Sequence, residues 1–308
     1  MYGLKQSSRQ WYLKFHQTIL GIDYEMSPLD HCFYVWRDKE KLALLSLYVN
    51  DILLTSNSSD MMKETKFCLG FKFEMKDMGL AKYVLGIRIS RDRNSKLIYL
   101  DQENYLENVL KRFKMEDCRP VSTTVSNGMI LNKSMCPTNK TELEETIDVP
   151  YAQAVGSLIY AMTSTRLDIC YAVGLVSRYQ SNPGKAHLQA VKQIFKYLQM
   201  TKNMKLCFGL DELGIKGFTD VDFAGDIVDR KSTSGYVFLF GGTMISWLSK
   251  KQGCVAKYTM EAEYIACSIA VSNVVWIKRF VNSLKFDMQD RPVNVFCDNK
   301  SAIFLIKS

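Results

Sequence analysis

The sequence lacks the cysteine and histidine pairs that structural zinc sites use. Its nine cysteines are scattered along 308 residues with no Cys-x-x-Cys pair, and only three histidines accompany them. Structural zinc sites draw four ligands from closely spaced pairs of these residues, so we expect no zinc site. Scattered cysteines in odd number are typical of reduced thiols in an intracellular protein.

Long apolar runs are also missing. Polar residues interrupt every strongly apolar stretch before it reaches about 18 positions, the length typical of a membrane span. No charged segment followed by an apolar one opens the chain. We therefore expect no signal peptide, no membrane span and an intracellular location.

The composition that is present favours a globular protein. The hydrophobic content is 47%, and 308 residues are enough for two domains that each have a core. The net charge is +8, and residues 126–210 carry the largest surplus, with 9 basic and 5 acidic side chains. Such a surplus suits a nucleic-acid backbone, but it is equally common in proteins that bind none.

A short stretch near residue 50 predicts a β-hairpin with a carboxylate at its tip. Apolar residues fill 44–47 and 52–54, runs too short for helices, and Asn50 and Asp51 lie between them. An unpaired buried acid is costly, so Asp51 must be solvated, paired or bound to a metal. An ordinary polar turn and a metal site both fit this pattern.

The spacing of apolar and turn residues predicts the other elements. Trp11, Phe15 and Ile19 have the spacing of a helix over residues 1–20. We predict helices at 59–68, 105–115, 151–162, 168–179 and 185–200, strands at 83–90 and 97–100, and an extended connector from Pro120 to Pro150.

The last hundred residues predict a strand, a hairpin, a helix, a strand and a helix. The strands and turn are Gly217 to Asp220, then 234–240 and 243–249 about a Gly-Gly turn, then a short buried strand at 293–297. The helices are 260–280 and 301–306. This order places Asp220 and Asp298 at the ends of strands and Glu263 on the helix between them. Each acid alone is more typical of a solvated surface. Three carboxylates meeting in one place repel one another unless divalent cations neutralise them.

Several motifs carry a resemblance to a known family. Tyr48-Val-Asn-Asp51 resembles the Tyr-x-Asp-Asp hairpin of reverse transcriptases, and residues 2–11 resemble the nucleotide-site segment that precedes it. Further matches are Phe73–Gly79, Tyr83–Ile87, Val155–Tyr160, Asn182–Lys185 and Ser232–Tyr236. On these motifs the chain is identified as a member of the copia-type retrotransposon Pol polyproteins, along essentially its whole length.

The resemblance implies an α/β (α+β) fold. We expect a reverse-transcriptase palm and thumb part at 1–119, a linker with a helical connection at 120–210, and an incomplete ribonuclease H-like mixed sheet at 211–308. It further implies RNA-directed DNA synthesis and hydrolysis of the RNA strand in RNA–DNA hybrids. The implied partners are primer-template nucleic acid, RNA–DNA hybrid and the rest of the polyprotein, in the cytoplasm or a virus-like particle, with no membrane.

The resemblance also implies site residues. Asp51 and Asn50 occupy the polymerase motif, and Asp220, Glu263 and Asp298 match the ribonuclease H acids; Glu263 is preferred to Glu261 because the family's metal-facing acid precedes a Tyr-x-Ala step. The expected ligands of a two-metal Mg²⁺ or Mn²⁺ site are Asp51, Asp220, Glu263 and Asp298. The expected substrate contacts are Gln6, Lys5, Arg9 and Gly86, although an ordinary strand glycine fits Gly86 equally well.

The sequence departs from the family pattern in three ways. Asn50 replaces the first aspartate of the hairpin, and an amide ligates Mg²⁺ more weakly than a carboxylate. The family's first palm aspartate and its last ribonuclease H acid have no counterpart in these 308 residues. We therefore expect a chain that is inactive as a polymerase and leave its ribonuclease H activity open. The alternative is a non-catalytic nucleic-acid-binding or relic fragment of the element.

Overall fold

In a computed structural model, the structure describes residues 6–126, 128–147, 149–209, 214–286 and 292–307, apart from the side chains of Glu145 and Ile147. The chain divides into two compact units, residues 1–81 with 273–292 and residues 82–272 with 293–308. The fold is mixed α/β, as predicted. The predicted domain boundaries at 119 and 210 stay predictions.

The first unit is a four-stranded antiparallel sheet with helices. Its elements are α1 (Ser7–Leu20), β1 (Glu25–Met26), β2 (Phe33–Asp38), β3 (Lys41–Tyr48), β4 (Asp51–Ser56) and α2 (Ser59–Lys72), and the strand order is β1-β2-β3-β4. Phe15 and Ile19 of α1 are fully buried with Tyr34 and Leu45. The predicted first helix is confirmed over Ser7–Leu20, and the central hairpin is confirmed, because their apolar periodicities match the buried faces. Residues 1–5 of the predicted helix lie outside the described residues.

The second unit begins with a sheet that the sequence predicted incompletely. Its strands are β5 (Tyr83–Val84), β6 (Ile87–Asp92), β7 (Leu97–Asp101) and β8 (Leu206–Phe208), in that spatial order. The prediction of one continuous strand at 83–90 is wrong, because Leu85 and Gly86 turn the chain back with φ of 51° and 78°. A β6–β7 pair and the following helix α3 (Glu103–Arg112) agree with the prediction.

A helical layer holds the larger core of this unit. Its helices are α4 (Lys140–Ile147), α5 (Tyr151–Ser164), α6 (Cys170–Val176) and α7 (Lys185–Thr201). The connector predicted as extended from 120 to 150 contains α4 and a 3-10 turn at Lys133–Met135. It is also anchored to the core, because Leu131 is buried and its carbonyl accepts a hydrogen bond from Tyr179 (2.8 Å).

The last part of the chain forms a second sheet in this unit. The elements of this part are β9 (Ile215–Asp222), β10 (Thr233–Phe240), β11 (Thr243–Lys251), α8 (Thr259–Ser283), β12 (Asn294–Phe296) and α9 (Lys300–Lys307). The end of α8, from Asn273 onward, belongs to the first unit. The strand order is β11-β10-β9-β12, with β12 parallel to β9. Gly241 and Gly242 both have positive φ, as the predicted tight turn requires. The prediction that the last strand is buried is wrong, because Asn294 and Phe296 are exposed.

Helix α8 is long and apolar enough to cross a membrane by length and composition. The core helices of soluble proteins pass the same test. A third of its most apolar window is buried within the protein, and the expectation of no membrane partner stays a prediction.

Candidate functional site

Strand β9 presents Asp220 on its open face. Ile215, Gly217 and Thr219 alternate inward, so the side chain of Asp220 is exposed with that of Phe218. The carboxylate accepts a hydrogen bond from the backbone N–H of Val221 (2.8 Å). Alternation along a half-buried strand therefore places this acid at the surface of the sheet.

Strand β12 brings Asp298 to the same region. Phe296 pairs in register with Phe218, and their rings stack with centroids 5.2 Å apart. Asp298 follows two residues later, and Asn299 begins α9 by accepting a hydrogen bond from the N–H of Ala302 (2.9 Å). The helix cap fixes the turn in which Asp298 lies.

Glu263 reaches the cluster from α8. Ala262, Ala266 and Ala270 are fully buried on this helix, and such small residues allow a close approach to neighbouring elements. The side chain of Gln252 donates hydrogen bonds to the carbonyl of Ala262 and to Ser234 Oγ (both 2.9 Å). Gln252 therefore ties the first turns of α8 to β10 and sets the position of Glu263.

The structure brings together Glu263, Asp298 and a thiol. Ligand atoms of Glu263, Cys297 and Asp298 all lie within 4.8 Å of one another. The Glu263 side chain is only 4% exposed. Burial, followed by the charges of Asp220 and Asp298, raises the pKa of Glu263 from 4.5 to about 7, although a hydrogen bond from Cys297 lowers it. The charges of Asp220 and Asp298 thus both act on Glu263.

This donor set fits a divalent cation. Carboxylate oxygens are the ligands that Mg²⁺ and Mn²⁺ prefer. A buried carboxylate whose nearest charged groups are other carboxylates is unfavourable until a cation neutralises the group. Glu263, Asp298 and the neighbouring Asp220 are therefore the described residues that could hold such an ion.

The hairpin between β3 and β4 carries the other predicted acid. Tyr48 pairs with Asp51 across the two-residue turn of Val49 and Asn50. Val49 has φ of 52°, a strained value for a β-branched residue, and its carbonyl accepts a hydrogen bond from Trp11 Nε1 (2.7 Å). Asn50 and Asp51 are both exposed. Asp51 belongs to no cluster of three or more metal-ligating side chains within the described residues.

The predicted nucleotide contacts are only partly described. Gln6 precedes α1 and Arg9 lies on its first turns, both exposed in the first unit, whereas Lys5 lies outside the described residues. Gly86 belongs to the second unit, in the β5–β6 turn. The alternative of an ordinary strand glycine is wrong, because Gly86 occupies a turn with positive φ.

Sequence reasoning missed two residues of the site. No motif or spacing in the sequence indicates Cys297 or Gln252 as part of a site. Cys297 could have been found from the alternation of side chains after a strand. Because Asp298 points to the open face, its neighbour Cys297 is expected to point to the opposite face. The burial of Gln252 depends on long-range packing of α8, for which a single polar residue after a strand gives no signal.

Comparison with known proteins finds relatives along the whole chain. Residues 1–127 match the family model described as reverse transcriptase (RNA-dependent DNA polymerase). The whole chain is 46% identical to part of the retrovirus-related Pol polyprotein from transposon TNT 1-94 of Nicotiana tabacum, covering 23% of that protein. It is 34% identical over 99% of its length to the Pol polyprotein from transposon RE1 of Arabidopsis thaliana, covering 20% of it.

The chain thus spans about a fifth to a quarter of these curated relatives. It is also similar to a shorter protein, an uncharacterized mitochondrial protein of Arabidopsis thaliana, with 33% identity over 75% of the chain and 93% of that relative. The family model, the matches along the whole chain and the motifs point to the same family. The chain therefore belongs to the reverse transcriptase family, as a part of a copia-type retrotransposon Pol polyprotein.

Proposed function

We propose that this chain hydrolyses the RNA strand of RNA–DNA hybrids at Asp220, Glu263 and Asp298. The observation that carries the proposal is the nearly complete burial of Glu263 beside Asp298, with a pKa raised to about 7 by burial and by the charges of Asp220 and Asp298. Such clustering of like charges is typical of cation sites in hydrolytic enzymes.

The exposure of each acid determines the role that we propose for it. Asp220 and Asp298 are exposed, so their carboxylates can reach both a cation and a phosphodiester. Glu263 is buried, and the hydrogen bond from Gln252 to the carbonyl of the preceding Ala262 holds its part of α8 in place. Its carboxylate can therefore orient the ion without touching solvent. When bound, a pair of Mg²⁺ or Mn²⁺ ions supplies an activated water and stabilises the leaving oxygen of the RNA strand.

The polymerase motif supports no comparable proposal. Asn50 supplies an amide where the family pattern has a carboxylate, and hard cations depend on ligand charge. Asp51 is exposed and joins no acidic cluster among the described residues. We therefore propose that these 308 residues alone do not extend a primer, and that nucleotide contacts by Gln6, Lys5, Arg9 or Gly86 depend on the rest of a Pol polyprotein.

The experiment is cleavage of a labelled RNA–DNA hybrid by the purified chain in Mg²⁺ or Mn²⁺. We expect cutting that Asp220→Asn and Glu263→Gln abolish. Glu261→Gln is the matched control, because it is the same change one half-turn earlier on α8, where Glu261 caps the helix by accepting from Lys257 N–H (2.7 Å). Cutting that survives both site variants, or no cutting by a folded chain, would overturn the proposal.

A second candidate function is hybrid binding without cleavage. It is favoured by the exposed Lys185 and Lys192 on α7, which lie in the most basic part of the sequence. Binding that weakens steeply with salt, in a folded chain that never cuts, would support it. Both functions are compatible with an intracellular location.

A further inference from the structure

We propose that Cys297, Glu263 and Asp298 form a binding site for a borderline-soft divalent cation of the Zn²⁺ class. The site overlaps the carboxylate centre proposed for Mg²⁺. Binding of the softer ion itself does not depend on nuclease activity. Its consequence, competition with the catalytic ion, rests on the proposed function.

The first support is geometric. The three ligand atoms lie within 4.8 Å of one another. Ligands at zinc lie about 2.0–2.3 Å from the ion, so two of them are at most about 4.6 Å apart. Side-chain shifts of about an ångström therefore bring the thiol and both carboxylates onto one ion, with a fourth position open to water.

The second support is the state of the buried carboxylate. Glu263 is 4% exposed, and the hydrogen bond that it accepts among the described residues comes from the Cys297 thiol, over a long 3.9 Å. A carboxylate excluded from water normally needs a stronger partner than a thiol. Zn²⁺ would satisfy Glu263 and Cys297 together, since thiolate, carboxylate and imidazole are its usual ligands.

A second thiol close to the site also favours a softer metal ion. The buried Cys267 thiol lies on the next turn of α8 from Glu263 and interacts with Cys297. Sulfur selects softer ions than the oxygen sets that hold Mg²⁺. Binding converts the Cys297 S–H into a thiolate–metal bond and releases its proton to solvent, so the step balances without an oxidant or reductant.

The fold explains why no sequence motif indicates this site. Its ligands come from α8 and from the turn after β12, and Glu263 and Cys297 lie 34 positions apart in the chain. Zinc motifs are read from short spacings. Two chain segments that meet only in the folded state leave no such spacing.

The test is a titration of the reduced, metal-free chain with Co²⁺, followed by displacement with Zn²⁺. Co²⁺ takes the same ligands as Zn²⁺, and a Co²⁺–thiolate bond gives a near-ultraviolet charge-transfer band. We expect a band at one equivalent that Zn²⁺ removes. It should be lost in Cys297→Ser and kept in Cys254→Ser, a matched control because Cys254 is an exposed thiol of the same unit.

Asp298→Asn adds a second arm because it keeps the thiol and removes one carboxylate. We expect the apparent affinity for Co²⁺, measured from the growth of the band, to fall by at least about tenfold. Metal sites lose that much when even an outer partner is removed. No band in the wild-type chain, or a band that survives in Cys297→Ser, would overturn the inference. A band without hybrid cleavage would contradict only the proposed nuclease, and cleavage without a band would contradict only the soft-ion site.

Discussion

At the scale of single residues, buried polar groups decide how this chain responds to substitution and to pH. Glu263, Arg166 and His187 are each almost inaccessible to water. Glu263 lies among acids, whereas Arg166 donates hydrogen bonds to Asp168 and Thr201, and His187 accepts one at Nδ1 from Gly184. The same degree of burial therefore marks a candidate site in one case and structural anchors in the others.

Arg166 is the clearest anchor. Its guanidinium donates to both carboxylate oxygens of Asp168 (2.9 and 2.6 Å) and to the carbonyl and hydroxyl of Thr201 (3.0 and 2.5 Å). Burial alone would raise the pKa of Asp168, but the hydrogen bonds and charge of Arg166 lower it overall.

We expect Arg166→Met to lower the free energy of unfolding by about 3 kcal/mol, because it leaves a half-buried carboxylate and a helix end unpaired. Urea denaturation measures the change. Lys202→Met is the control, since Lys202 forms a partly exposed ion pair with Glu107 (2.9 Å) whose loss should leave the unfolding midpoint almost unchanged. Equal effects of the two substitutions would contradict this account of Arg166.

His187 predicts a pH dependence of stability. It is fully buried, its Nδ1 accepts a hydrogen bond from the Gly184 N–H (2.9 Å), and Tyr179 stacks on the ring at 4.0 Å. Burial lowers the pKa of His187 below its usual 6.5. A protonated ring could not accept the Gly184 hydrogen bond, so protons bind preferentially to the unfolded chain.

The direction of this pH dependence follows from the difference between the folded-state and unfolded-state pKa of His187. The folded-state pKa is below the unfolded value of about 6.5, so this contribution is complete above pH 6.5 and is lost as the pH falls towards the folded-state pKa. We expect the free energy of unfolding to decline more steeply below pH 6.5 in the wild-type chain than in His187→Gln, which keeps an acceptor but does not titrate. Parallel pH profiles would show that His187 does not carry the effect.

At the scale of elements, short turns were harder to predict than the helices and strands around them. Apolar periodicity correctly indicated α1, α3, α7, the β3–β4 hairpin and the β10–β11 hairpin, because the buried face of each repeats over several turns or residues. It missed the break between β5 and β6, where Val84 and Ile87 are both apolar and the Leu85-Gly86 turn between them resembles the middle of a strand.

This turn gives a test by glycine substitution. Gly86 has φ of 78°, and left-handed backbone costs an L-residue roughly 1–2 kcal/mol. We therefore expect Gly86→Ala to destabilise the second unit by about that amount in urea denaturation. Hydrogen exchange should show the loss first in the short β5–β6 pair.

Gly156→Ala is the matched control in the same unit. Gly156 is an exposed position inside α5, and a Cβ added there meets no atom within 4 Å. The substitution should stabilise the chain by roughly 0.5–1 kcal/mol, because alanine loses less backbone entropy in a helix. A stabilising Gly86→Ala, or two changes of the same sign, would contradict the assignment of the turn.

At the scale of the whole molecule, the sequence predicted the chain's elements and its family better than its contacts. The order of strands and helices indicated that the three acids lie close together, and the family resemblance selected Glu263 over Glu261. The grouping of residues 273–292 with residues 1–81 was not predictable, because it depends on contacts between distant segments. One of these contacts joins the rings of Phe33 and Phe280, with centroids 5.1 Å apart.

The same reason limited the prediction of the site. Cys297 and Gln252 act through partners that are distant in sequence, as Cys297 does with Glu263 and Gln252 with Ala262. The hairpin acid Asp51 shows the opposite case. Its local motif was plain in the sequence, yet no cluster of metal ligands surrounds it within the described part of the chain.

If folding assembles a cation site from Asp220, Glu263 and Asp298, the folded chain binds a divalent ion that needs all three acids. The most direct measurement is Mn²⁺ binding to the folded chain at neutral pH, followed through the electron paramagnetic resonance signal of free Mn²⁺. We predict saturable binding that weakens by at least about tenfold in Glu263→Gln and Asp220→Asn and stays unchanged in Glu261→Gln. Equal binding by the wild-type chain and both site variants, or no saturable binding at all, would contradict the account.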